Sequence, residues 1–189
     1  MKFFEVFDML TVDAGLKSVF EEVAAVKVAA SKLSGRVTVH IESSRLIPFR
    51  DKKKMLYQLK KQLFSGMGGE VAFHETCRLS GQYTPENLMN EYFDSFLMEL
   101  DQRSVVERNM LQNSSYEFQD GNILCLTLRD SIVAQGKRES ITSYLTDVFR
   151  HRFGRPIEIR VLYEKPKESV LKYNEIKLEQ EVKEILRAN

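Results

Sequence analysis

The sequence predicts an α+β fold of two small α/β domains, each a short sheet packed by helices in a strand–strand–helix–strand pattern. Three observations carry that expectation. Residues 36–42 (RVTVHIE) alternate apolar and polar, residues 50–64 (RDKKKMLYQLKKQLF) have helical periodicity, and residues 70–75 (EVAFHE) return to a strand. The same order comes back in strand 122–128 (NILCLTL), a helical stretch to Phe153 and strand 157–163 (IEIRVLY). The length of 189 residues with 43% hydrophobic content suits one large or two small globular domains. The expected boundaries are 1–80 for the first domain and 81–164 for the second. Residues 165–189 are read as a charged linker with helical character.

Taken in order, residues 2–10 and 16–22 have short helical character, separated by Asp13-Ala14-Gly15. Residues 23–31 (VAAVKVAAS) and 36–42 read as strands joined by a turn at Leu33-Ser34-Gly35, although the alanines of the first also suit a helix. Leu46-Ile47-Pro48-Phe49 breaks the strand before helix 50–64. On that helix Met55, Leu56, Leu59 and Leu63 fall within one stripe, while Lys53, Lys54, Lys60 and Lys61 gather on another side. Ser65-Gly66-Met67-Gly68-Gly69 ends it. After strand 70–75, residues 77–84 (CRLSGQYT) read as a linker.

Thr84-Pro85-Glu86 signals a helix start, with Thr as the cap and Pro in the first turn. The apolar residues of that helix are Leu88, Tyr92, Phe93, Phe96, Leu97 and Leu100, and residues 104–111 add a second helical segment. Asp120-Gly121 is a hairpin signal before ILCLTL. Next come a segment at Asp130–Gln135, a break at Gly136-Lys137-Arg138-Glu139, and a long helix to Phe153. Ile141, Leu145, Val148, Phe149 and Arg152 share one side of that helix, flanked by Tyr144, and Gly154-Arg155-Pro156 stops it. Residues 168–188 carry a thin apolar line of Leu171, Leu178, Val182 and Ile185, which reads as a tether.

Charge is close to balanced overall, at +1, but unevenly spread. Residues 1–81 hold 13 Lys+Arg against 9 Asp+Glu, a net of +4, and residues 82–164 hold 9 against 13, a net of −4. Two cysteines, Cys77 and Cys125, make no disulfide framework, so a reducing cytoplasmic setting is expected. The N-terminal run is interrupted by Glu5 and Asp8, unlike a secretory leader, and no apolar stretch is long enough to span a membrane.

No catalytic signature emerges. His74-x-x-Cys77 has metal-ligand spacing but lacks a second pair. There is no phosphate-binding loop of the G-x-x-x-x-G-K type and no run of carboxylates suited to a two-metal site. No cofactor, metal or small-molecule substrate is therefore expected. Two surfaces stand out instead. The four lysines of helix 50–64 form a docking face for an acidic partner or for phosphates. Gly136, Lys137 and Arg138 occupy the place of a Gly-x-x-Gly loop between helices, the device that clamps a nucleic-acid backbone, with Glu139 in place of the second glycine.

The order helix–strand–strand–helix–helix–strand in 85–163 resembles a type II KH fold. As a whole the chain resembles the N-terminal region of PolC, the Gram-positive type of DNA polymerase III α subunit. The residues that carry this are GRVTVHIESSRLIPFRDKKKMLYQLKKQLF (35–64), NILCLTLRD (122–130) and SITSYLTDVFRHRFGRPIEI (140–159). The resemblance implies a first domain similar to the polymerase-binding domain of the clamp-loader subunit tau and a second that is KH-like. It implies a non-catalytic docking region of a replicative polymerase, with polymerase and exonuclease residues elsewhere in the parent chain. Replisome proteins are the implied partners, followed by single-stranded DNA or RNA. The competing expectation is a free-standing KH-type RNA-binding protein.

Overall fold

Residues 1–31, 33–66 and 68–165 are described by the structure, a computed structural model. The tether expected at 168–188 lies outside the described residues. Two three-stranded sheets organise the chain, in strand orders β1-β2-β3 and β4-β5-β6. Each is preceded by two helices, so the succession helix, helix, strand, strand, helix, strand occurs twice.

The first unit begins with α1 (Phe3–Val6) and α2 (Ala14–Phe20). Asp13 caps α2 by accepting from the Leu16 amide at 2.9 Å. Strands β1 (Ala24–Ala30) and β2 (Val37–Ser43) pair antiparallel with a bulge at Ala25/Lys27. The alanine-rich segment is thus a strand. Helix α3 (Phe49–Gln62) then crosses over to β3 (Val71–Cys77), which lies parallel to β2 in register Val37↔Val71. Strict alternation turns Val37, Val39 and Ile41 inward, against Met55 and Leu59 of α3 and the Phe3, Phe7 and Phe20 cluster of the first two helices. Gly69 sits against the backbone of Gly35, and a Cβ at Gly69 would overlap the Gly35 carbonyl. This close approach pins the end of the hairpin to the start of β3.

The second unit opens with α4 (Pro85–Arg103), capped by the Thr84 hydroxyl accepting from the Asn87 amide. Helix α5 (Val105–Gln112) follows, capped by Ser104. Strands β4 (Ser115–Gln119) and β5 (Ile123–Arg129) form the expected hairpin, with Asp120 and Gly121 both at positive φ, as their side chains allow. Strand β6 (Glu158–Glu164) joins β5 in parallel. Leu124, Leu126 and Leu128 point into a core built with Phe96, Phe149 and Phe153.

Three expectations are corrected. The break at Gly136–Glu139 is absent: α6 runs unbroken over Ile132–Asp147, started by Ser131, whose hydroxyl accepts from the Ala134 amide at 3.0 Å. One glycine costs a helix only about 1 kcal/mol against alanine, and Ala134, Gln135, Lys137, Arg138 and Glu139 around it are adequate formers. The helix then ends in a π-helical turn, Val148–Arg152, rather than continuing as α-helix to Phe153. The 77–84 segment is also more than a connector. Cys77 belongs to β3 and is buried in the second core, with Leu79 and Tyr83 packed against it. Arg155 ties this segment down by donating to the carbonyls of Leu79, Ser80 and Tyr83.

Two substitutions separate these features. Nothing lies within 4 Å of a Cβ built at Gly136, so Gly136→Ala should raise the unfolding free energy by about 0.5–1 kcal/mol through helix propensity. Gly69→Ala should lower it by about 1–3 kcal/mol, because the Gly35 backbone must give way. Urea titrations of the two variants check this. A destabilised Gly136→Ala would return residues 136–139 to a loop.

Candidate functional site at the junction of the two units

Where the units meet, six polar side chains converge. Lys52 comes from α3, Glu75 from β3, Tyr92 and Glu99 from α4, Tyr144 from α6, and Arg152 from the π-helical turn. Each sits on the apolar face of its element. Lys52 stands three residues before Met55 and seven before Leu59, inside the buried stripe of α3. Glu75 alternates inward with Val71 and Cys77. Glu99 follows Tyr92 by seven residues and Phe96 by three. The π-helical turn offsets the following residues relative to an α-helix and carries Arg152 to the edge of β3.

The bonding is dense. The Lys52 ammonium donates to Glu75 Oε2 and Tyr92 Oη, both at 2.6 Å, and to Glu99 Oε1 at 3.4 Å. Arg152 grips Glu99 with two parallel bonds, Nη1 to Oε1 at 2.6 Å and Nη2 to Oε2 at 3.0 Å. Its Nε lies 3.6 Å from Glu75 Oε2. Tyr92 and Tyr144 donate to the two oxygens of Glu99 at 2.9 and 2.8 Å. The Cys77 thiol faces Glu75 Oε1 at 3.7 Å. Two cations therefore meet two carboxylates, with Lys52, Glu75 and Glu99 all buried.

Protonation follows this arrangement. Burial alone would raise the Glu99 pKa, but the Arg152 hydrogen bonds and the Arg152 and Lys52 charges outweigh it and hold the carboxyl at about 2. Burial works against the Arg152 charge, yet Glu99 raises its pKa above the ordinary arginine value. Burial and the Glu99 charge push both tyrosines upward, so they stay neutral donors. Burial pushes the Cys77 thiol up to about 12, which leaves it protonated and inert.

Two hollows flank this cluster. One, of about 430 Å³, is lined by Phe73, His74, Arg103, Tyr144, Asp147 and His151, with Arg103 lying 4.9 Å over the Tyr144 ring. The other, of about 210 Å³, lies between α3 and α4 and includes Phe49, Lys53, Leu56 and Gln102. Among the described residues, no group of three or more His, Cys, Asp or Glu is placed to hold a metal ion. His74 is exposed and Cys77 buried; an odd spacing on a strand puts them on opposite faces.

The residues singled out from sequence divide. Lys53, Lys54 and Lys61 are exposed on α3. Tyr57 stands exposed among them, with the Lys61 ammonium 6.0 Å over its ring. A hollow of about 300 Å³ beside this face is shared with Asp13 and Leu16. Lys60 differs: its ammonium donates to the Gly69 carbonyl at 2.6 Å. Gly136, Lys137 and Arg138 lie within α6, and the Lys137 ammonium sits 3.6 Å from the buried Glu107 carboxylate. No loop is left there to clamp a phosphate backbone. Sequence reasoning put Arg152 on the buried side but passed over Lys52, Glu75 and Glu99. Their signal was a charge standing within an apolar stripe.

Repeated sheets and a buried ionic junction define a protein of two fused α+β units. Known family models match two separate stretches of the chain, the first ending before β3 and the second beginning within α4. The model described as DNA polymerase III polC-type N-terminus I matches residues 2–67, and that described as DNA polymerase III polC-type N-terminus II matches residues 91–189. The chain belongs to the polC-type DNA polymerase III N-terminal family, which places it in DNA replication. No curated protein matches it. A solved structure of CdsD, a structural protein of the type III secretion system of Chlamydia trachomatis, is 13% identical with a TM-score of 0.26. That alignment covers 92% of this chain and 66% of the other, and at such a score it carries no argument.

Acid sensitivity tests the junction. The Glu99 pKa is lowered from 4.5 to about 2 on folding, so its stabilisation is complete above pH 4.5 and fades as pH falls towards 2. The pH-dependent part is about 3 kcal/mol. Glu99→Gln leaves buried Lys52 and part-buried Arg152 facing one carboxylate and should cost about 3–5 kcal/mol at neutral pH. The variant should also lose the part of the parent's acid dependence below pH 4.5 that comes from this group. Chemical denaturation at stepped pH checks both, and an unchanged acid limb in the variant would remove Glu99 from this role.

Proposed function

We propose that this chain is a non-catalytic docking region of the replicative polymerase, presenting its two units to replisome proteins as one platform. Polymerase and exonuclease chemistry would lie elsewhere in the parent chain, and this region would need no cofactor. The observation that carries the docking role is the outer face of α3. Lys53, Lys54 and Lys61 surround exposed Tyr57 beside an open hollow, while the opposite face of the same helix is locked into the core by Met55 and Leu59. Such a face can engage acidic groups at its rim and an apolar group at its centre. Tyr is enriched in binding surfaces and Lys is not, so Tyr57 is assigned the contact and the lysines the steering charge at its rim. No helix among the described residues is long and apolar enough to cross a membrane; the cytoplasm is proposed for the platform from the family's place in DNA replication.

Nucleic acid takes second place in this reading. The unbroken α6 and the engaged Lys137 remove the loop on which a KH-type RNA-binding protein would rely. Single-stranded DNA would meet only the lysine face and bind weakly, with steep salt dependence.

Charge reversal is the test. Lys53→Glu with Lys61→Glu should change stability by no more than about 0.5 kcal/mol, because both side chains are exposed. Titrated against purified clamp-loader and clamp proteins, the native chain should bind at least one of them. The variant should weaken that binding about tenfold, chiefly through a slower on-rate. A parallel titration with oligothymidylate measures the nucleic-acid arm. Binding to a replisome protein that ignores the double reversal would remove the face from this role. Tight RNA or DNA binding with no protein partner would overturn the docking reading.

A further inference from the structure

A second surface lies at the far end of the second unit. Between α5 and α6 runs a groove of about 250 Å³, lined by Val106, Met110, Leu128 and Ala134. The apolar surface around it is unusually open: Ile132 is 90% exposed, Val105 58% and Val133 56%. Polar residues normally occupy such positions on a solvated helix. Val105 adjoins Val106, and Ile132 and Val133 lie between Ser131 and Ala134, so these exposed apolar residues stand next to the groove's lining, as at an interaction surface.

The groove adjoins the point where the described chain ends. Glu164 pairs with Arg129, and its carbonyl accepts from the Asp130 amide at 2.9 Å. Arg129 and Ser131 themselves line the groove. The sequence that follows carries Leu171, Leu178, Val182 and Ile185, spaced seven, four and three apart as on one helical face. Glu175 and Glu179 flank Leu178, and Arg129 stands among the residues that line the groove. Leu171 lies six residues beyond Lys165, a reach of up to about 20 Å when extended. One family model, polC-type N-terminus II, also spans both the groove and this segment.

We propose that the α5–α6 groove is the docking site of the chain's own segment 171–185, with the apolar line seated on Val106, Ile132 and Val133. Short tethering raises the local concentration of the segment to about the millimolar range, so modest complementarity suffices. The docked segment would cover the apolar surface and direct the chain beyond it away from the junction with the first unit.

Cross-linking in the full chain tests this. Ile132→Cys combined with Leu178→Cys should give an intramolecular cross-link with a short bifunctional maleimide at high dilution. The native Cys77 and Cys125 thiols are buried and do not compete. Glu117→Cys with Leu178→Cys, which places the first thiol on β4, should not cross-link within the chain. Covalent dimers alone would assign the groove to a second copy, and no cross-link at all would leave it for a different protein; both results overturn the proposal. Hydrogen exchange gives an independent reading without new thiols. Leu178→Asp with Val182→Asp should speed exchange of the α5 amides at least about tenfold while leaving β5 unchanged. Unchanged α5 exchange would also refute docking.

Discussion

The two units meet around the carboxylate of Glu99. It accepts two bonds from Arg152, one from each of Tyr92 and Tyr144, and one long bond from Lys52. Taking a carboxylate out of water costs several kcal/mol, and only a nearly complete set of donors offsets that cost. The donors come from four helical elements, α3, α4, α6 and the π-helical turn, so each must hold its place for the cluster to form. The bonds link α3, α4, α6 and the π-helical turn to one carboxylate and so relate their orientations to one another. Further contacts reinforce the same joint: the Phe49 amide donates to the Ser95 hydroxyl at 3.0 Å, and Cys77 reaches from β3 into the second core.

The two units share an order of elements but differ in how the crossover helix is used. In the first, α3 buries one stripe and offers a basic, aromatic face to solvent. In the second, α6 is longer, with one end beside an apolar groove and the other in the ionic junction. The second unit thereby supplies most of the joint, and the first supplies the most basic open face. This division matches the spread of charge along the sequence, positive in the first half and negative in the second.

Much of this was legible in the sequence. Strand alternation at 36–42 and 122–128, the helix stripe of Met55 and Leu59, and the Thr84 and Asp120-Gly121 signals all reflect local periodicity or local backbone chemistry, which a sequence displays directly. The break expected at Gly136 failed because a single glycine was weighed as a stop signal, when its propensity cost is small beside the packing of Ala134 and Ile141 on either side. The π-helical turn has no sequence signature; it lies where the chain buries Phe149 and Phe153 in the core. Lys52, Glu75 and Glu99 were hidden for a different reason. A charge on an apolar stripe is interpretable only with its partner, and these partners lie 23–53 residues apart. Lys60 shows the reverse case, a lysine correctly placed on the outer side whose ammonium is taken by a backbone carbonyl.

The pairing within the junction also fixes where it divides. The tightest contact of Lys52 with an acid is to Glu75, in its own unit, and that of Arg152 is to Glu99, again in its own unit. The ionic contacts that cross between units are longer, at 3.4 and 3.6 Å. A plane drawn between the units therefore cuts the cluster into two electrically neutral halves. Parting along that plane strands no lone charge on either surface. Each half carries away an intact ion pair that water can solvate, and the ionic cluster at the seam is electroneutral on both sides.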